Sequence, residues 1–129
     1  MKKLTLLTAA LLTFAAAQSN NAYAGDDAKL DHYESTKFDT KEDALTGLIA
    51  TSNEMAAIAA AAELDGTKME KIHQISYTTE NAVATLGAGK ELAAALEEVH
   101  LASEEHDPLD LKNKFIAYQA ELNSYLAQK

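Results

Sequence analysis

Cysteine, tryptophan and arginine are absent from the 129-residue chain, and proline occurs once. Without a thiol the chain can form no disulfide, thiolate metal site, iron–sulfur cluster, covalent c-type haem or cysteine nucleophile, and no lipid anchor on cysteine. Acidic residues outnumber basic ones: the chain has 20 acidic side chains and 11 lysines, so its net charge is −9. Phosphate neutralisation needs clustered basic side chains, so this balance argues against nucleic acid as a partner.

The first 24 residues have the pattern of a secretory signal peptide. A short basic start precedes an apolar run over residues 4–17, and Ala22-Tyr23-Ala24 forms a small-x-small cleavage site. The apolar run is shorter than the ~20 residues that a membrane-spanning helix needs. We therefore predict cleavage before Gly25, no membrane segment in the mature chain, and a bacterial periplasmic or secreted location.

Residues 25–38 are predicted to form a flexible, extended, acidic arm, because they are polar and show no periodic apolar face. The following residues, 39–129, are enough for one hydrophobic core and no more. We expect a single folded domain after the arm.

Apolar residues beyond the arm recur at steps of three and four, which is typical of amphipathic helices. The breaks fall at Asp65-Gly66, at Gly87-Ala88-Gly89 and at Asp107-Pro108. No stretch alternates with period two, so we predict an all-α protein. Four helices with short links favour an antiparallel up-down-up-down four-helix bundle. The predicted helices cover about 40–64, 67–86, 90–105 and 108–127.

Capping signals and apolar stripes add detail to this bundle. The predicted starts are Thr40 or Asp39 with Phe38 as a hydrophobic staple, Thr67 with Glu70 in a capping box, and Asp107 before Pro108. The predicted inward residues are Leu45, Leu48, Ile49, Met55, Ile58 and Ala59; Met69, Ile72, Ile75 or Ser76, Thr79, Val83 and Leu86; Leu92, Ala95, Leu96, Val99 and Ala102 or Ser103; and Leu111, Phe115, Tyr118, Leu122 and Tyr125.

A small set of polar residues stands out beside the apolar stripes of the second and third helices. His73, Tyr77 and Glu80 share one face of the second helix. Antiparallel pairing about the glycine-containing turn puts Tyr77 level with His100, and Glu80 level with Glu97. We interpret His73, Tyr77, Glu80 and His100 as a binding site or as a buried polar network that fixes the register of the two helices.

A transition-metal site is an alternative for the same region. His73 and His100 with a carboxylate, Glu97 or Glu80, offer ligands that suit Zn²⁺ or Cu²⁺. Glu97-x-x-His100 is a single copy of a motif that carboxylate-bridged di-iron bundles use twice. One copy is weak evidence for such a site.

Non-covalent haem b is a second cofactor alternative, with Met55 and His100 as candidate axial ligands near one end of the bundle. The architecture is similar to that of cytochrome b-type four-helix bundles, although a methionine at a core position more often fills space. His32, in the arm, and His106, in a loop, are expected to be solvated.

An enzyme is not predicted. The chain has no Gly-x-Ser-x-Gly elbow, no glycine-rich phosphate loop and no His-Glu-x-x-His motif. Its many carboxylates make chance pairs common, so their number alone does not indicate acid–base catalysis.

The strings over residues 71–82 and 96–104 resemble an uncharacterised family of small, signal-bearing bacterial proteins known as a domain of unknown function. The resemblance implies a periplasmic helical protein and no activity. Our leading interpretation is a soluble, non-catalytic binding or interaction module for a periplasmic protein or a small ligand. The alternatives are a haem b or transition-metal protein and a structural homo-oligomer such as a homodimer.

Overall fold

A computed structural model describes residues 34–129, and the predicted signal peptide and most of the predicted arm lie outside this part. Residues 35–129 form one compact unit. It contains four helices, α1 (Lys41–Ala59), α2 (Gly66–Leu86), α3 (Lys90–Glu105) and α4 (Pro108–Ala127), and no strand among the described residues. The all-α prediction is confirmed.

The helices pack in the order of the chain. Helix α1 packs against α2, α2 against α3, and α3 against α4, while a smaller contact between α1 and α4 completes the bundle. Short links join the helices, as expected for antiparallel neighbours. Within residues 34–129, the helices lack the combination of length and apolar character needed to cross a membrane.

Side-chain caps define the starts of three helices. The hydroxyl of Thr40 accepts a hydrogen bond from the Asp43 amide at 3.0 Å. Helix α4 begins as predicted, because Asp107 accepts from the Asp110 amide and Pro108 occupies the first turn. Helix α2 differs from the prediction, since its cap is Asp65 and not Thr67. The Asp65 carboxylate accepts from the Lys68 amide at 2.9 Å, and this bond lowers the pKa of Asp65.

Helix α1 ends at Ala59, several residues before the predicted end near residue 64. Leu64 is buried in the core with 4% of its surface exposed. In a continued helix Leu64 would lie about 180° from Met55, on the opposite side from the core. The chain leaves the helix early, and Leu64 turns inward.

The core consists largely of the predicted stripes. Both members of each pair that the sequence left open, Ile75 with Ser76 and Ala102 with Ser103, are buried. The buried apolar residues of the four helices are Ala44, Leu48, Met55 and Ala59; Met69, Ile72, Ile75, Ala82, Val83 and Leu86; Leu92, Leu96, Val99 and Ala102; and Leu111, Phe115, Tyr118 and Leu122.

Helix α1 departs most from its predicted face. Ile49 is 36% exposed, because it lies about 100° around the helix from Leu48, and Thr51 and Ser52 face inward instead. Among the other predicted inward residues, Leu45, Ile58, Ala95 and Tyr125 are only partly buried.

Buried hydroxyl groups join α1 to its two neighbours. Thr79 of α2 donates to Thr51 of α1 at 2.9 Å. Ser52 of α1 and Tyr118 of α4 share a hydrogen bond of 2.6 Å. Burial raises the pKa of Tyr118 to about 12, against the opposing effect of the bond with Ser52. These bonds satisfy polar groups that would otherwise be costly to bury.

The end of the predicted arm lies on the bundle. Asn81 of α2 donates to the hydroxyl of Ser35 at 2.9 Å and to the carbonyl of Thr36 at 2.8 Å. The Thr36 amide donates to the hydroxyl of Thr78. Two residues farther along, Phe38 covers Gly47, where a β-carbon would collide with the phenyl ring.

Candidate metal site

The site lies between α2 and α3, which form a hairpin. Gly87 adopts the left-handed conformation (φ 63°) at the end of α2, which lets the chain turn back. The turn brings Tyr77 and His100 together with ring centroids 4.9 Å apart. His73 lies 5.1 Å from Tyr77 and 4.8 Å from His100, so the three rings meet edge to face.

Glu104 joins the two histidines. The Nε2 atom of His73 lies 3.1 Å from Oε2 of Glu104, and Nε2 of His100 lies 3.2 Å from the same oxygen. Sequence reasoning missed Glu104 as a site residue. The available signal was its position one turn after His100, where residues four apart share a helix face.

The second ring nitrogen of each histidine faces another carboxylate. Nδ1 of His100 lies 2.7 Å from Oε2 of Glu80 and 3.3 Å from the hydroxyl of Ser76. Nδ1 of His73 lies 3.5 Å from Oε2 of Glu70. In metal sites of proteins, a ligating histidine almost always donates its other N–H to a carboxylate, a carbonyl or water. Glu80 occupies that position beside His100, whereas Glu70 lies beside His73 only at ion-pair distance.

The carboxylate predicted to complete a metal site with both histidines was Glu97 or Glu80. The structure groups His73 and His100 with Glu104 instead, with the three candidate ligand atoms all within 4.8 Å of one another. Glu97 comes together with Glu80 and His100 in a second group, whose candidate ligand atoms also lie within 4.8 Å of one another. His100 belongs to both groups.

Negative charge dominates the surroundings of these rings. Burial raises the pKa of the Tyr77 phenol above its usual range, and the carboxylates of Glu104, Glu80 and Glu70 raise it further. The side chains of His73 and His100 are 19% and 11% exposed, whereas that of Glu104 is 46% exposed. The site is therefore anionic and reachable from solvent through Glu104.

The chain matches a model of a family of unknown function, DUF6746, over residues 1–127. The chain belongs to this family. The match confirms the resemblance seen in the sequence. Neither a curated protein nor a solved structure matches the chain. Membership in DUF6746 therefore names no ligand.

The two candidate haem ligands, Met55 and His100, lie in different surroundings. Met55 is fully buried in the apolar core, whereas carboxylates flank both ring nitrogens of His100. A haem held by these two residues would have to displace one of those carboxylates, and haem binding stays a prediction. His106 is exposed and ends α3 with a positive φ of 59°. His32 lies outside the described residues.

Proposed function

We propose that this DUF6746 protein binds a divalent transition-metal ion, with His73, His100 and Glu104 as its protein ligands. The observation that carries the proposal is the convergence of two imidazole Nε2 atoms on one carboxylate oxygen, at 3.1 and 3.2 Å. Ligands about 2.0–2.2 Å from a tetrahedral Zn²⁺ ion lie roughly 3.3–3.6 Å from one another. The two nitrogen–oxygen distances are slightly shorter than this range, and the three candidate ligand atoms lie within 4.8 Å of one another.

The ligand chemistry favours Zn²⁺ or Cu²⁺. Imidazole nitrogen with a carboxylate suits both ions, and Cu²⁺ binds more tightly than Zn²⁺ to most sites of this kind. Three protein ligands leave a fourth position for water. Glu80, 2.7 Å from Nδ1 of His100, supports the proposal because it would orient that ring and increase its basicity.

The proposed role is binding and exchange of the ion, not catalysis. Glu104 is the most exposed of the three ligands, and a ligand that solvent reaches can be displaced to take up or release the ion. The rival interpretation is a structural network in which the same atoms only hydrogen-bond to one another. The two interpretations predict different results when metal is added: the first predicts binding of the ion at this site, and the second predicts none.

Export to the periplasm is part of the proposal. Its support is the basic start, the apolar run over residues 4–17 and the cleavage site at Ala22-Tyr23-Ala24. The complete absence of cysteine agrees with an oxidising compartment.

Calorimetric titration of the purified, chelator-treated protein with Zn²⁺ and Cu²⁺ tests metal binding. We expect one ion per chain, and we expect Glu104→Gln to weaken binding at least tenfold while keeping the shape of the side chain. Glu105→Gln is the matched control, because Glu105 is exposed, adjacent and outside the site. Equal binding by both variants, or no heat with either ion, would contradict the proposal and leave the structural network. Circular dichroism checks that both variants are folded.

A further inference from the structure

Helix α4 carries a second regular stripe opposite the one that faces the core. Its inward residues are Leu111, Phe115, Tyr118 and Leu122. On the far side, exposed residues without charge recur at alternating steps of four and three, the spacing of a coiled-coil seam. We call this stripe the outer seam; its residues are Leu109, Asn113, Ile116, Ala120, Asn123 and Ala127.

The outer seam holds the two most exposed large apolar side chains of the described residues. Leu109 is 70% exposed and Ile116 is 65% exposed, two helical turns apart on one line. Scattered exposed apolar residues are ordinary in soluble proteins. A stripe of exposed residues that runs the length of a helix and contains no charged side chain is unusual in a chain of which 24% is charged.

We propose that the outer seam is the contact surface of a homodimer in which the α4 helices of two copies run antiparallel. The order of residues along the seam supports this orientation. With a two-fold axis level with Tyr118, Leu109 lies opposite Ala127 of the partner subunit, and Ile116 lies opposite Ala120 of the partner subunit. Each large side chain meets a small one, which allows the helices to approach closely.

The two asparagines of the seam meet in the same register. Asn113 lies opposite Asn123 of the partner subunit, so the amide groups can hydrogen-bond to each other across the interface. A polar pair at a seam position specifies register and orientation at some cost in stability. A parallel pairing would place each seam residue against its own copy, with large against large and Ala against Ala.

Charge permits a second copy to dock only where the surface is uncharged. A chain with a net charge of −9 repels itself over most of its surface, and the outer seam is uncharged. The residues beside the seam also meet across the interface. On one side of the seam Asp110 lies nearest to Ser124 of the partner subunit, and on the other side Lys112 lies nearest to Leu126 of the partner subunit. No like charges meet along these two flanks. The interface is isologous, as a two-fold dimer requires.

The dimer should be weak. A stable interface buries about 800 Å² on each partner, and a single helix face with two large apolar residues offers less. We therefore expect a dissociation constant in the micromolar range, on the order of 1–100 μM.

Sedimentation from about 1 to about 300 μM, with a chelator present to exclude association through metal, tests the inference. Ile116→Lys should weaken dimerisation at least tenfold. Because Ile116 is exposed, the variant should keep its helical circular dichroism. Ile49→Lys is the matched control, since Ile49 is an exposed isoleucine on α1; it should dimerise like the unaltered protein. A monomer at every concentration, or a dimer that Ile116→Lys leaves intact, would overturn the proposal.

Disulfide trapping tests orientation in this cysteine-free chain. Leu109→Cys and Ala127→Cys should each fail to cross-link alone, because in the antiparallel register like positions are about 27 Å apart, at 1.5 Å per helical residue. A mixture of the two variants should yield a cross-linked dimer. Cross-linking of either variant with itself would show a parallel pairing and overturn the antiparallel one.

Discussion

The imidazole rings of His73 and His100 meet edge to face with centroids 4.8 Å apart, and both turn Nε2 toward one oxygen of Glu104. Both nitrogens lie within hydrogen-bonding distance of that oxygen. An ion bound between the two nitrogens and Glu104 would replace this shared contact with three metal–ligand bonds. Substitutions of these residues should therefore change both the stability of the fold and its affinity for metal.

Zinc should raise the melting temperature of the protein. An ion that binds only the folded state stabilises it by about 2.7 kcal/mol at a free concentration 100 times the dissociation constant. For a domain of this size, 1 kcal/mol corresponds to roughly 4–8 °C. Scanning calorimetry with and without Zn²⁺ measures the shift, and excess chelator should abolish it. A melting temperature unchanged by Zn²⁺ in the unaltered protein would count against a site at His73 and His100.

Removing the charge of Glu80 should weaken metal binding without removing a ligand. Outer carboxylates on ligating histidines typically contribute 10–100-fold to affinity, so Glu80→Gln should lower Zn²⁺ affinity about tenfold. Glu97→Gln is the informative comparison and should have a much smaller effect. A larger loss with Glu97→Gln than with Glu104→Gln would place the ion among Glu80, Glu97 and His100 instead.

Tyr118→Phe should destabilise the bundle by about 1 kcal/mol at neutral pH, because it leaves the buried hydroxyl of Ser52 without its hydrogen bond. Denaturant titration measures the loss. Tyr125→Phe is the control, because the Tyr125 hydroxyl is buried without a hydrogen-bond partner among the described residues. Its removal should be neutral or slightly stabilising. Equal losses for both variants would mean that the bond between Ser52 and Tyr118 contributes nothing.

Tyr118 should also set an alkaline limit to stability. Its pKa is raised to about 12 in the folded protein, so the folded state holds this proton more tightly than the unfolded state. The free energy of unfolding should fall as pH rises from about 10 to about 12, by on the order of 2 kcal/mol. Tyr118→Phe should lose this part of the pH dependence. A parallel decline in both proteins would assign the effect to other groups.

Glu54→Gln should stabilise the protein at neutral pH. Burial raises the pKa of Glu54, although the charge of Lys71 opposes the rise. A raised carboxyl pKa means that ionisation costs stability, a cost that grows as pH rises above about 4.5 and is absent in acid. The difference between Glu54→Gln and the unaltered protein should therefore be larger at pH 7 than at pH 4. Glu63→Gln, at an exposed position, is the control. A difference in the free energy of unfolding that does not change with pH would show that ionisation of Glu54 costs no stability.

Local rules predicted the fold well because helix periodicity and capping are properties of neighbouring residues. Asp107 with Pro108 marked the start of α4, and the inward stripes of α2 and α4 followed from spacing. The end of α1 depended on Leu64, whose inward turn is a tertiary effect that no local signal reveals. The start of α2 was ambiguous because Asp65 and Thr67 are both good caps.

The site was partly predictable for the same reason. Counting outward from the turn placed Tyr77 beside His100, since the register of an antiparallel hairpin follows from its turn. The count could not identify Glu104, because the choice among several carboxylates depends on which way each imidazole ring points. Ring orientation is set by contacts across the helix pair, and these are known only once the helices are packed.

Every side chain of the candidate site lies between Glu70 and Glu104, on either side of the left-handed turn at Gly87. Contacts within one hairpin carry a smaller loop-closure cost than the contact between Ser52 of α1 and Tyr118 of α4, which lie 66 residues apart. The ligands can therefore come together before the contact between α1 and α4 closes the bundle. A folding chain that bound metal at this stage would have the register of α2 and α3 fixed by the ion before the bundle closes.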